Sequence, residues 1–156
     1  MLISKKELRI ISEFRNNARE NLTRASRKLG IPVSTIYDRL KKYQGNLITR
    51  HTAILDFKKL GFGIKVMLAF KTDKVNRVAL VRFLETHHRV NTIMRISNNS
   101  DFLIEVLFRD LGELNVFTEK LETLYAKEIQ EFYVVEDIKR ENFLTTPESI
   151  DLLADD

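Results

Sequence analysis

Ser34, Thr35, Tyr37, Asp38, Lys41 and Lys42 crowd into the stretch Val33–Tyr43. At a helical period, Val33, Ile36, Leu40 and Tyr43 of the same stretch collect on one face. Ser34, Asp38 and Lys41 then point away from that face, with Thr35, Tyr37 and Lys42 on its flanks. The chemistry available to such a set is recognition rather than catalysis. Ser34 and Thr35 can bond base edges or phosphates. Tyr37 can bond a phosphate or touch a thymine methyl group. Lys41 and Lys42 suit phosphate better than bases. Asp38 can accept from a cytosine amino group, but an exposed pair with Lys41 or Lys42 three or four residues on is the preferred reading. Arg39 falls nearer the core edge and is read as a structural residue that packs its stem.

Nothing comparable supports an enzyme. His51 stands apart from His87-His88, and no Glu or Cys spacing typical of a metal site accompanies it. His87 and His88 end a helix, where the dipole favours a cation. No phosphate-loop, dinucleotide or nucleophile-elbow motif occurs, and there are five glycines in all. Glu136 and Asp137 are neighbours on an expected strand and point to opposite faces. The sequence therefore implies no catalytic residue, metal or cofactor.

The recognition stretch needs elements to hold it. Leu22, Ala25 and Leu29 share one face of a helix preceding it, and Gly30-Ile31-Pro32 reads as the turn between the two. Glycine ends helices cheaply in the left-handed conformation, and proline suits a helix start. The pattern is a helix-turn-helix, whose second helix enters the DNA major groove. Upstream, Ser4 and Glu7 have capping-box spacing, with Ile3 and Leu8 placed as a hydrophobic staple. A first helix from about Lys5 to Asn16-Asn17, with Leu8, Ile11 and Phe14 on its apolar face, would close a three-helix core. Residues 1–51 carry twelve Lys/Arg against four acids, a net +8 within a chain whose total is +4. A basic first third on an acidic body points to a polyanion partner. Arg24, Arg27 and Lys28 on the first helix of the motif, and Arg50 beyond it, are candidate phosphate contacts, with a plain solvated side chain as the alternative for each.

Gln44-Gly45-Asn46 is a turn signal, and Leu47–Leu55 reads as a strand or hairpin wing. Beyond it, Phe62–Thr72, Val90–Ser97, Phe102–Arg109 and Ile129–Lys139 are strand-like. A helix over Asn76–His87 has Val78, Val81 and Leu84 as buried candidates. A second helix opens at Asp110, with Glu113 in capping-box spacing and a stripe of Leu114, Phe117, Leu121 and Leu124. The order βαββαβ is ferredoxin-like. Such a sheet leaves one face open. Phe102–Phe108 is apolar on both faces, so a second copy is the economical cover, with the wing or the tail as competitors. Residues 141–156 contain five acids and no Lys or Arg and are expected to be mobile or loosely docked. With 156 residues, 44% hydrophobic, no cysteine and no apolar run long enough to span a membrane, a cytoplasmic location is the simplest reading.

This order of parts resembles the Lrp/AsnC, or feast/famine, family of bacterial and archaeal transcription regulators over about residues 4–140. The resemblance is carried by Ala25, Leu29-Gly30, Ser34-Thr35-Ile36 and Arg39-Leu40 in the helix-turn-helix. Residues 47–62, LITRHTAILDFKKLGF, resemble the family's wing and linker. The Gly-x-x-Asp turn of its ligand-sensing domain corresponds to Asn98-Asn99-Ser100-Asp101. There are two departures: the wing approach at Tyr43-Gln44-Gly45-Asn46 is one residue short, and Asn98 replaces the glycine.

The implied fold is α+β. A winged helix-turn-helix occupies residues 1–50, a wing strand and linker 51–61, a ferredoxin-like dimerisation and ligand-sensing domain 62–140, and an acidic tail 141–156. The resemblance implies double-stranded DNA as partner, a homodimer that can assemble into octamers, and an amino-acid effector contacting Asn98, Ser100 and Asp101. Two alternatives remain at this stage: a siroheme-decarboxylase-like enzyme on the same architecture, and a ligand-sensing assembly module that no longer binds DNA.

Overall fold

A computed structural model describes residues 3–154. Asp155 and Asp156, counted above among the acids of the tail, lie outside the described residues. The elements are α1 (Lys5–Asn16), α2 (Leu22–Leu29), α3 (Val33–Tyr43), a 3-10 turn (Phe57–Leu60), β1 (Ile64–Lys71), α4 (Arg77–Thr86), β2 (Val90–Arg95), β3 (Phe102–Phe108), α5 (Leu111–Thr123), β4 (Lys127–Tyr133) and α6 (Pro147–Ala154). The chain divides into two compact units, Met1–Ile54 with Ile138–Asp156, and Leu55–Asp137.

In the first unit the capping box forms. Ser4 Oγ accepts from the Glu7 N–H at 3.3 Å, and Glu7 Oε2 accepts from the Ser4 N–H at 3.1 Å. Gly30 ends α2 at φ 66°, which spares the steric cost an ordinary residue would meet there. Asn21 caps the start of α2, its side chain accepting from the Thr23 N–H at 2.8 Å. Ile10, Phe14, Ala25, Ile31 and Ile36 form the core, with Leu22, Leu29 and Leu40 packed against it. The buried line of α1 is thus Ile10 and Phe14, four residues apart, while Leu8 and Ile11 are only half-buried beside it. Val33, expected in the core, is 39% exposed. It is the first residue of α3, directly after the Pro32 N-cap, and Ile31 fills that end of the core instead.

Two further expectations fail in this unit. No strand forms over Leu47–Leu55; the only pairing there is an isolated bridge between Gln44 and Ile48. A wing needs a partner strand, and the first unit contains no strand among the described residues. The tail is not loose either. Helix α6 packs on α1, burying Ile150 to 1% exposure. Asp151 lies 2.9 Å from Lys5 Nζ, and Glu141 lies 2.9 Å from Arg15 Nη2. Among the described residues, Asp151 and Glu141 answer cations of α1 and Ile150 is buried.

The second unit is an antiparallel sheet in the order β2-β3-β1-β4, the ferredoxin-like arrangement. Alternation puts Val66, Leu68 and Phe70 of β1 and Phe102, Ile104, Val106 and Phe108 of β3 on the core face. Leu80 and Leu84 of α4 and Leu114, Phe117 and Leu121 of α5 cover that face. Val78, expected to be buried, is 78% exposed; the i, i+4 pair Leu80 and Leu84 sets the inner line of α4, and two residues earlier is nearly its far side. The last strand stops at Tyr133, short of the expected Lys139. The other face of the sheet carries Lys65, Met67, Leu103, Glu105 and Leu107. Polar groups share it: Lys65 Nζ meets Glu105 Oε2 at 3.0 Å, and Asn91 Nδ2 donates to Glu105.

Candidate nucleic-acid interface

Helix α3 is held by its inner side. Ile36 is fully buried and Tyr43 is 2% exposed. Arg39 reaches from the edge of α3 to α1, its Nη1 3.0 Å from Glu7 Oε1. The Tyr43 hydroxyl is buried next to the same carboxylate without reaching full hydrogen-bond geometry. Tyr43, the two Ser4 hydrogen bonds and Arg39 together draw the Glu7 carboxyl down to about 2. Burial, with the Glu7 charge, pushes the Tyr43 phenol up to about 12. Arg39 is therefore structural, as expected, although through its head as well as its stem.

The outer side of α3 presents Ser34, Tyr37, Asp38, Lys41 and Lys42, all exposed, with Thr35 half-buried at the rim. The structure brings these six to one helix surface. Among the described residues no ion pair engages Lys41, Lys42, Arg27 or Arg50. The expected pair between Asp38 and Lys41 or Lys42 is not formed, so the preferred reading of Asp38 is corrected. Lys28 sits 2.6 Å from Glu13 Oε2 on α1, which ties the motif together. Arg24 touches Glu20 at 3.5 Å yet remains 81% exposed. Arg50 is exposed on the irregular segment that replaces the expected wing strand.

In the second unit Asn98 adopts φ 84°, the conformation for which the turn needs glycine or asparagine. Asp101 closes that turn. Its Oδ2 accepts from the Thr72 N–H at 2.9 Å, and its Oδ1 lies 3.5 Å from Arg77 Nη2. Sequence reasoning did not find Arg77, whose Nε is buried without a partner; an arginine opening a helix carries no sequence mark of such a role. Ser100 is half-buried beside this group.

His87, beside His88, does not behave as a cationic helix end. Their rings stack at 4.9 Å, and Phe117 meets His87 edge-on at 4.8 Å. Burial, then His88 and Arg89, lowers the His87 pKa, and Nδ1 accepts from the Arg89 N–H at 3.2 Å. Desolvation on an aromatic surface outweighs the dipole. Among the described residues no group of three or more metal ligands assembles, and no helix is long and apolar enough to cross a membrane.

An HTH-type transcriptional regulator of Pyrococcus furiosus is 23% identical over 148 residues, covering 94% of this chain and all of its own. Among solved structures, a Neisseria meningitidis transcriptional regulator in complex with L-Met superposes with a TM-score of 0.81 at 17% identity, over 89% of this chain and 94% of its own. Bacillus subtilis LrpC gives 0.81 at 18%, over 89% and 99%. No family model matches the chain. These relatives are transcriptional regulators, the curated one of the helix-turn-helix type, and they are not enzymes. The fold is the one shared by solved Lrp/AsnC-type structures such as Bacillus subtilis LrpC.

Proposed function

We propose that this regulator binds specific double-stranded DNA sequences as a homodimer in the cytoplasm, with α3 in the major groove. The observation that carries the reading is the outer side of α3: exposed hydroxyls and two lysines without an internal partner, within residues 1–51 and their net +8. Arg24, Arg27 and Arg50 would add phosphate contacts around it, and Lys28 fewer because Glu13 holds it. The remaining outer sheet face supplies a reason to pair. Half-buried Met67 and Leu103, with Met94 at 37% and Phe132 at 52% exposure, form an apolar surface that a second copy would cover. Two recognition helices would then reach successive major grooves about 34 Å apart, giving a roughly palindromic site.

An amino-acid effector is the finer part of the proposal. The Neisseria relative was solved with L-Met. Here Asn98, Ser100 and Asp101, joined by Arg77, offer both charges that a zwitterion needs. Higher assembly, to octamers, would follow the family's habit.

A mobility-shift titration at several salt concentrations tests the central claim. Binding should weaken steeply with salt and favour the chain's own promoter over random DNA. Salt-independent binding, or equal affinity for both DNAs, would overturn it.

A further inference from the structure

Residues 1–51 contain four acids, and three are used within the unit. Glu7 faces Arg39, Glu13 faces Lys28 and Glu20 faces Arg24. Asp38 is the fourth. It is exposed and has no ion-pair partner among the described residues, although Lys41 and Lys42 follow at pairing distance along the helix.

Its place on α3 matters as much as its isolation. Ile36 is fully buried, Tyr43 nearly so, and Leu40 packs against the core. Asp38 lies midway between Ile36 and Leu40, so it points directly away from that inner face. Ser34 and Lys41 flank it on the same outer line. In a helix docked in the major groove this line reaches the floor, where base edges lie, while the flanks face the phosphate walls.

A carboxylate can only accept. Phosphate, guanine O6 and N7, and thymine O4 are acceptors too, and repel it. Adenine offers an amino donor beside the acceptor N7, whereas cytosine offers its amino donor alone.

We infer that Asp38 is a specificity determinant that accepts a hydrogen bond from a cytosine amino group, and that its charge weakens binding to DNA lacking cytosine there. The inference rests on the DNA-binding reading above and deepens it. Its cost and benefit have one origin. The same charge that selects cytosine is repelled by the acceptor edges of guanine and thymine, by adenine N7 and by the backbone.

The test is selection of bound fragments from a randomised DNA pool by the full chain and by Asp38→Ala and Asp38→Asn. The unaltered chain should enrich one site with cytosine fixed at one position of each half. Asp38→Ala should make that position degenerate, with roughly tenfold lower discrimination there, and bind random DNA more tightly. Asp38→Asn should move the preference toward adenine, whose amino donor and N7 acceptor match an amide. Identical base preferences in all three proteins would overturn the role of Asp38 while leaving the DNA-binding reading intact. Failure of the unaltered chain to enrich any site would overturn both.

Discussion

Arg39 Nη1 lies 3.0 Å from Glu7 Oε1, so the side chain that caps the start of α1 also fixes the edge of α3. One carboxylate thus serves two helices. The orientation of the outer side of α3 is coupled through it to a helix that carries none of the proposed readers.

This coupling makes the first unit acid-sensitive. Glu7 ionises near 2 when folded, against 4.5 for a free glutamate. A lowered folded value adds stability above the unfolded value, and that contribution is lost as pH falls from about 4.5 toward 2. Chemical denaturation across this range should show stability falling with acid. Glu7→Gln should flatten the dependence and be the less stable protein at neutral pH. Parallel pH profiles for the two proteins would contradict the assignment.

Tyr43 gives the alkaline counterpart. Its folded pKa of about 12 exceeds the ordinary 10, so its contribution is complete below pH 10 and fades as pH rises through 12. Because its hydroxyl is buried without a full hydrogen bond, Tyr43→Phe should be nearly neutral at pH 7, within about 1 kcal/mol of the unaltered chain. Urea denaturation decides this. A loss well beyond that value would mean the hydroxyl is better satisfied than the geometry indicates.

Lys28 and Lys41 should separate in DNA binding. Lys41 has no internal partner, whereas Lys28 is held by Glu13 at 2.6 Å. Lys41→Ala should lower affinity for all sequences alike and reduce the slope of log affinity against log salt by about one. Lys28→Ala should change the slope less. Equal slopes for the two variants, or a base-specific loss with Lys41→Ala, would show that the ion pair opens on DNA or that Lys41 reads a base.

The elements set by local rules were legible from the sequence. Ser4-x-x-Glu7 capped α1, Gly30 closed α2, and the stripe Leu114, Phe117, Leu121 marked the inner face of α5. Features that depend on distant partners were not. Leu47–Leu55 has β-forming residues but no neighbouring strand to bond, and β-propensity yields to context. The acidic tail reads as solvated until α1 is placed beside it, and only then do Asp151 and Ile150 have partners. At the site, periodicity alone found the outer line of α3. Whether Lys28 and Asp38 were paired depended on α1 and on rotamers, which periodicity does not reach.

Asn98 should rank its substitutions by backbone conformation. At φ 84° a residue other than glycine or asparagine meets a steric cost of roughly 1–2 kcal/mol. Asn98→Ala should therefore destabilise the second unit by about 1 kcal/mol, while Asn98→Gly stays within a few tenths. Thermal denaturation of both variants checks the order. Glycine being the worse substitution would mean that the amide side chain itself holds the turn.

Docking of α6 is tested where apolar burial, rather than charge, carries it. Ile150 is 1% exposed in a helix that also meets α1 through exposed ion pairs such as Lys5 with Asp151 at 2.9 Å. Exposed pairs contribute at most about 1 kcal/mol and are screened by salt. Truncating a buried isoleucine costs about 2–5 kcal/mol where the surroundings cannot collapse, and the low end suits the rim of a small unit. Ile150→Ala should therefore cost about 2 kcal/mol and speed hydrogen exchange in α1. High salt should enlarge the effect, because the ion pairs no longer hold the helix in place. A variant with unchanged stability and exchange would return residues 141–154 to the loosely attached tail that their composition suggested.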